Sequence, residues 1–325
     1  MSKPHPILIG VLAGLAAALL YFSSYMVGML GKLPLYIAPL PIYLAIFSFG
    51  SLSGIVATLT ALGIALMLAP SLAVATVGAI IAFPALLIGY QATLAQGTSA
   101  DGEKDADSSP LTWFPLENLL FNLAIAIGCG VLVIGAISGF SSETIVPVIV
   151  KQMQEITRIN PELKSLNEAD LINLAQTFAK LVPFFYPSIW LVTHVINAHL
   201  AAAISRNYKR MQRPADDMPV DLSLPLGALV ALPTAMILML FGTGVLASIA
   251  AVFSGVLFMA FAIVGLGALH LRLRGRQVAR PMLIITYLII FLFSFPLLIF
   301  AIAGVARSIS RLGNPANSNR PNSTV

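Results

Sequence analysis

Three residues of types that can bind a ligand, Trp190, His194 and Asn197, lie in one apolar stretch of the chain, 182–204. In a helix, where successive residues turn by about 100°, these three residues (the histidine group) share one face. An indole ring beside an imidazole and an amide can hold a small polar or ring-bearing molecule, and ionisable groups inside a membrane are functional candidates by default. The alternative is that His194 and Asn197 only hydrogen-bond neighbouring helices in packing contacts.

A second set of polar residues, Glu117, Asn118 and Asn122 (the glutamate group), follows Pro115. Proline suits the first turn of a helix, where the helix dipole also stabilises a carboxylate. Asn118 and Asn122 are four residues apart, so they form one polar face that is expected to point into the bundle. This pattern predicts a ligand or ion site facing the histidine group, or else an ordinary helix start at the membrane interface.

The composition is that of a membrane protein. Of the 325 residues, 58% are hydrophobic and 10% are charged, and the mean hydropathy is +0.93. A soluble domain carries about 25% charged residues, so a free cytosolic enzyme and a disordered chain are excluded. A single cysteine, Cys129, excludes a disulfide scaffold. We predict an all-α fold, a polytopic transmembrane helical bundle that forms one domain over 1–325.

Apolar runs long enough to cross a bilayer, which takes about 20 residues, give the number of spans. A further apolar region, 34–69, is interrupted by prolines and by Gly50 and Gly54, which predicts two short spans or a span and a re-entrant piece. The total is eight or nine spans. The continuous runs are 7–30, 72–95, 116–139, 182–204, 224–243, 245–269 and 282–306.

Three segments are too polar to lie in the membrane. Residues 96–110 are predicted to form a flexible acidic loop, and 308–325 a disordered tail. Residues 141–180 show apolar residues at helical spacing, which predicts an amphipathic helical insertion of two helices. Asn167 is the expected N-cap of the second helix, with Asp170 in its first turn.

The net charge of +5 comes from arginine and lysine concentrated in two connections, 206–223 and 270–280. Such clusters mark cytoplasmic loops of a multi-pass protein and indicate membrane lipids, with no nucleic acid, as the partner. The tail beyond 307 is also basic, but one span at 282–306 would place it on the opposite side. Either one of these assignments is wrong or Pro296 marks a broken helix.

The first span carries small residues at four-residue spacing, Gly10, Gly14 and Ala18. Such a stripe lets another helix approach closely, either within the chain or in a partner subunit. The sequence contains no Walker A motif, no H-E-x-x-H or cysteine/histidine metal motif and no G-x-S-x-G motif. We therefore expect binding rather than catalysis, with no catalytic residues, no metal and no cofactor.

Several short motifs resemble those of the YybS-like family of bacterial membrane proteins, whose function is unknown. That family is similar to the substrate-capturing S components of energy-coupling factor (ECF) transporters, although this chain has more spans than an S component and adds 141–180. The motifs are Ala38-Pro39-Leu40-Pro41, Trp113-Phe-Pro115-Leu116, Asn197-Ala-His-Leu200-Ala201, Gly265-Leu-Gly-Ala-Leu-His270, Gly275-Arg276, Arg280-Pro281 and Phe295-Pro296-Leu297-Leu298.

The resemblance implies a subunit of the bacterial inner (cytoplasmic) membrane that binds a small solute of unidentified structure. It also implies a partner, an ATPase-driven transport module, docked on Gly10, Gly14 and Ala18. In this hypothesis the histidine group and the glutamate group line the solute site. The alternative hypothesis is a non-transporting scaffold or regulator, whose basic loops bind a cytoplasmic protein or anionic lipid headgroups.

Overall fold

The computed structural model describes residues 5–24, 32–97, 111–139, 142–159 and 167–313, and these residues are helical almost throughout. The helices are α1 (Pro6–Ser23), α2 (Leu33–Ile37), α3 (Leu40–Phe49), α4 (Ser51–Leu68), α5 (Ser71–Ala75), α6 (Phe83–Ala92), α7 (Leu116–Ser138), α8 (Ser142–Ile159), α9 (Glu168–Asn207), α10 (Met218–Asp221), α11 (Leu226–Phe241), α12 (Gly244–Leu273), α13 (Ala279–Phe293) and α14 (Pro296–Leu312). A π-helical segment, Thr76–Ala82, joins α5 to α6.

In the described part of the chain, six helical segments are long and apolar enough to cross a membrane. The pair α13 and α14 is bent by 118° and makes a seventh crossing if it counts as one span. The protein is therefore a multi-pass membrane protein, as predicted, although a total of eight or nine spans is not confirmed. The six are α1, α4, the segment Ser71–Ala92, α7, α9 and α12.

The proline-interrupted region is broken, as its sequence suggested, into two short helices, α2 and α3, and the longer helix α4. Gly50, at φ 90°, separates α3 from α4 in a backbone conformation that favours glycine. Prolines stand in the first turns of α2 and α3, where the missing N–H groups cost no helical hydrogen bond. The second proposed break also exists: α13 ends before Ser294 and α14 begins at Pro296.

The amphipathic insertion is helical, but its second helix does not stop at 180. That helix is the beginning of α9, which continues for 40 residues, or about 60 Å. Its start is as predicted: the Asn167 side chain accepts a hydrogen bond from the Asp170 N–H at 2.9 Å, and Asp170 accepts one from the Asn167 N–H.

The two predicted loops need new boundaries. Residues 95–97 form strand β1 (Ala95–Gly97), which pairs antiparallel with β2 (Leu111–Trp113), so the start of the expected loop 96–110 is a strand. Residues 98–110 lie outside the described residues. The expected tail, 308–325, begins inside α14, which ends at Leu312, and 314–325 also lie outside the described residues.

The small-residue stripe of α1 is covered by the chain itself. Gly10, Gly14 and Ala18 are all buried, and α1 packs along α4. A Cβ atom at Gly10 would lie 2.6 Å from the carbonyl oxygen of Ser53, and one at Gly14 would overlap the carbonyl oxygen of Ala57. The expectation that this stripe docks a partner subunit is corrected: close approach of α4 already uses it.

We expect Gly14→Leu to lower the free energy of unfolding by about 3 kcal/mol, because the larger side chain must push α1 away from the α4 backbone. Gly63→Leu is the matched control, since a Cβ atom at Gly63 meets nothing within 4 Å. Thermal unfolding in detergent measures both variants. Equal losses for the two variants would contradict the close approach.

Candidate functional site

The histidine group faces the interior of the bundle. Trp190, His194 and Asn197 lie on one side of α9 with 2%, 0% and 4% of their surfaces exposed. His199, whose position in the helix turns it to the opposite side, is exposed. The shared face inferred from the spacing is thus the buried face of α9.

Both nitrogens of His194 have partners within the chain. Its Nε2 lies 2.7 Å from the carbonyl oxygen of Ile80, and its Nδ1 lies 3.0 Å from the hydroxyl oxygen of Tyr43. A carbonyl oxygen only accepts hydrogen bonds, so Nε2 carries a proton. When the imidazole is neutral, its Nδ1 therefore accepts a hydrogen bond from the Tyr43 hydroxyl.

The carbonyl of Ile80 is available because of a proline. In a regular helix it would accept from the residue four positions later, but that residue is Pro84, which has no N–H. The break falls where the π-helical segment passes into α6. His194 supplies the missing donor from another helix, so the imidazole completes the hydrogen bonding of an irregular span.

Asn197 and Trp190 are also engaged by the protein. The Asn197 amide donates to the carbonyl oxygens of Tyr36, at 2.8 Å, and Thr193, at 2.7 Å. The Trp190 ring centroid lies 6.0 Å from that of Tyr36 and 6.4 Å from that of His194. The group as it stands joins α9 to neighbouring helices, which is the packing role weighed against ligand binding.

The residues of the glutamate group have hydrogen-bond partners of their own. Glu117 accepts a hydrogen bond from the hydroxyl of Ser223 at 2.9 Å, and Asn122 donates to the side chain of Gln91 at 3.1 Å. Asn118, in the first turn of α7, is half-buried. All residues of both groups are described, and no hydrogen bond or ring contact joins one group to the other. That the two groups face each other across one site therefore stays a prediction.

Near the glutamate group lies a buried cation that the sequence did not single out. Arg213 is 4% exposed and pairs with both carboxylate oxygens of Asp216, at 2.9 and 2.8 Å. Its guanidinium also donates to the carbonyl oxygens of Phe114, at 2.9 Å, and Ala92. The arginine thereby attaches the connection after α9 to the ends of two other spans. The Arg-x-x-Asp spacing was the only signal in the sequence.

Further arginines converge on one short segment, 217–221. Arg274, after α12, pairs with both carboxylate oxygens of Asp217, at 2.7 and 2.6 Å. Arg307 and Arg311, from α14, donate to backbone carbonyls of the same segment. Hydrogen bonding to Arg274 lowers the pKa of the Asp217 carboxyl, so this pair stays charged at neutral pH.

These contacts resolve the conflict over the basic tail. Arg274 lies before α13, and Arg307 and Arg311 lie on α14, yet all three contact the segment 217–221. They can do so because α13 and α14 form a bent pair, which brings the chain back to the same end. The two basic connections and the basic turns of α14 therefore meet at one end of the molecule, which we call the basic end. The alternative in which Pro296 marks a broken helix is confirmed.

Not every cation at the basic end is engaged in this way. Arg272, Arg276 and Arg280 are exposed, and the connection 270–280 that carries them contains no acidic residue. Among the described residues, no three histidine, cysteine, aspartate or glutamate side chains lie close enough to hold a metal ion. The chemistry available at this end is therefore recognition of negative charge.

Comparisons with known proteins leave this geometry as the basis for any functional assignment. No family model, no curated protein and no solved structure matches the chain.

Proposed function

We propose that this chain is a scaffold or regulator of the bacterial inner membrane that uses its basic end to hold an acidic surface of a cytoplasmic protein. The observation that carries the proposal is the exposed set Arg272, Arg276 and Arg280, which no acidic residue of its own connection neutralises. Unneutralised charge of one sign steers and selects partners of the opposite sign. The proposed action is binding, without catalysis.

The way this basic surface is held in place favours a role in binding over the alternative, that these arginines only set the orientation of the protein in the membrane. Orientation in the membrane requires only that arginines be present in a loop. Here the pairing of Arg274 with Asp217 attaches the connection 270–280, which carries the exposed cations, to the segment 217–221. A surface that is ordered before binding loses less conformational freedom when a partner binds.

We further propose a total of eight or nine crossings. The shorter apolar helices Leu33–Phe49 and Leu226–Phe241 would bring the six long spans to eight, with the bent pair returning to the end at which it starts. A ninth crossing would come from outside these segments. Each of the shorter segments has fewer than the roughly 20 residues of a straight span, so a count of eight or nine requires a locally thin bilayer or a partial crossing.

Charge reversal tests the proposed surface. The triple variant Arg272→Glu, Arg276→Glu, Arg280→Glu is expected to lose protein partners that photo-crosslink to position 277 in cells. The control reverses Lys151 and Lys180, two exposed cations of the amphipathic insertion at the other end of α9. Partners that survive the triple variant, or that are lost equally from the control, would overturn the proposal.

The second candidate function is capture of a small solute by a subunit of S-component type. It is supported by the inward orientation of the histidine group and by the aromatic rings of Tyr36 and Tyr186 around Trp190. A ligand there would have to replace the partners that His194 and Asn197 already have.

Mass spectrometry of the purified, denatured protein tests solute capture. A stoichiometric small molecule released on denaturation, together with co-purification of an ATPase module, would favour this function over the scaffold. If neither is found, solute capture is contradicted.

A further inference from the structure

A groove of about 410 Å³ runs along the surface between α1 and α3. Its walls are almost entirely apolar and include Ile9 and Leu12 of α1 and Leu44 of α3. At one end, where α3 finishes, Tyr208 and Arg210 close the groove with polar groups. The groove is therefore apolar, with a cation at one end.

The arginine at this mouth is held in position by an aromatic ring. The guanidinium carbon of Arg210 lies 4.7 Å from the centroid of the Phe49 ring, a distance typical of a cation–π contact. Arg210 is nevertheless exposed, and none of the ion pairs found in the described chain includes it. Its planar guanidinium can therefore donate hydrogen bonds to two oxygens of a phosphate.

The backbone beside Arg210 adopts a conformation that usually requires glycine. Lys209 has φ 53°, and α9 ends in a Schellman motif in which the Lys209 and Arg210 N–H groups each bond a carbonyl of the last turn at 2.8 Å. Glycine occupies this position at least cost, whereas a lysine there is strained. Lys209 does not line the groove, but it is a second exposed cation between two residues that do, Tyr208 and Arg210.

We propose that this groove binds an anionic phospholipid, with one acyl chain between α1 and α3 and the phosphate at Lys209 and Arg210. Apolar walls inside a bilayer suit an alkyl chain, and the two cations at one end complement a negative headgroup. A peptide of acidic residues would match the mouth but would leave its backbone polar groups unpaired along the apolar walls. This site goes beyond the proposed protein-binding surface, because it uses different residues.

Native mass spectrometry of the intact protein tests the site with two probes, phosphatidylglycerol and phosphatidylcholine. Arg210→Gln is expected to weaken phosphatidylglycerol binding about fivefold, the loss of one cation near a lipid headgroup, and to weaken phosphatidylcholine binding less, because the choline cation already offsets the phosphate charge. Arg276→Gln, which removes the same charge elsewhere at the basic end, is the matched control. Equal weakening by both variants would overturn a defined site in favour of diffuse attraction.

Two further variants separate headgroup, chain and folding. Lys209→Gly relieves backbone strain, so it is expected to raise the unfolding temperature while weakening phosphatidylglycerol binding. Ala13→Phe, which fills the groove, is expected to weaken both lipids several-fold. Unchanged lipid binding in Ala13→Phe, or stronger phosphatidylglycerol binding in Lys209→Gly, would overturn the proposal. Triple charge reversal at Arg272, Arg276 and Arg280 tests the protein-binding surface separately.

Discussion

Replacing Arg213 by methionine is expected to lower the free energy of unfolding by about 3–5 kcal/mol, the usual cost of removing one member of a buried ion pair. The substitution would leave Asp216 without its counterion and the carbonyl oxygens of Phe114 and Ala92 without this donor. Since these contacts attach the connection after α9 to two spans, we expect that connection to become susceptible to proteolysis.

Thermal unfolding in detergent and limited proteolysis measure this effect. Arg276→Met removes the same charge from an exposed position of the basic end and is expected to change stability by less than about 0.5 kcal/mol. If the two variants unfold at the same temperature, the buried network around Arg213 does not stabilise the fold.

The second large effect is expected for His194→Leu, which should lower the free energy of unfolding by about 2–4 kcal/mol. It removes the donor to the Ile80 carbonyl and the acceptor of the Tyr43 hydroxyl, and each buried unpaired group costs about 1–3 kcal/mol. Tyr43→Phe removes only the second contact and is expected to cost about 1 kcal/mol.

His199→Leu supplies the control on the same helix, because His199 is exposed on the opposite face. We expect this variant to unfold within a degree or two of the wild-type protein. The comparison also separates the two functions considered for the histidine group. A His194→Leu protein of full stability that fails to retain a small molecule would show that the imidazole serves ligand binding, whereas a destabilised protein shows that it serves the fold.

Local features could be predicted from the sequence because they depend on nearby residues. The capping of α9 by Asn167 needs only Asp170, three residues later, and the break at Pro296 follows from the missing N–H of proline. The common face of Trp190, His194 and Asn197 follows from helical periodicity alone. Each of these holds before any other part of the chain is placed.

The partners of those faces could not be predicted, because they come from distant parts of the chain. His194 and Tyr43 are 151 residues apart in the sequence, and no local pattern predicts their contact. The spacing of Gly10 and Gly14 predicts a close helix contact but is silent on whether the helix belongs to the same chain. The structure identifies α4, where the resemblance to S components implied a partner subunit.

The role of an individual arginine could not be predicted from the sequence either. Arginines near helix ends set the orientation of a membrane protein whether or not they bond to anything. The sequence alone therefore does not distinguish Arg213 from Arg276, although Arg213 is buried with four hydrogen bonds and Arg276 is exposed. Only the three-dimensional arrangement separates cations that build the fold from cations free to meet a partner.

The convergence of Arg274, Arg307 and Arg311 on the segment 217–221 bears on biosynthesis. Translation delivers that segment roughly ninety residues before Arg307 and Arg311, so its carbonyl groups lack their final donors until α14 emerges and folds back. A chain whose synthesis stopped before Pro296 would lack Arg307 and Arg311, so we expect its segment 217–221 to be more accessible to membrane proteases. Synthesis of α14 and closure of the basic end are thus coupled.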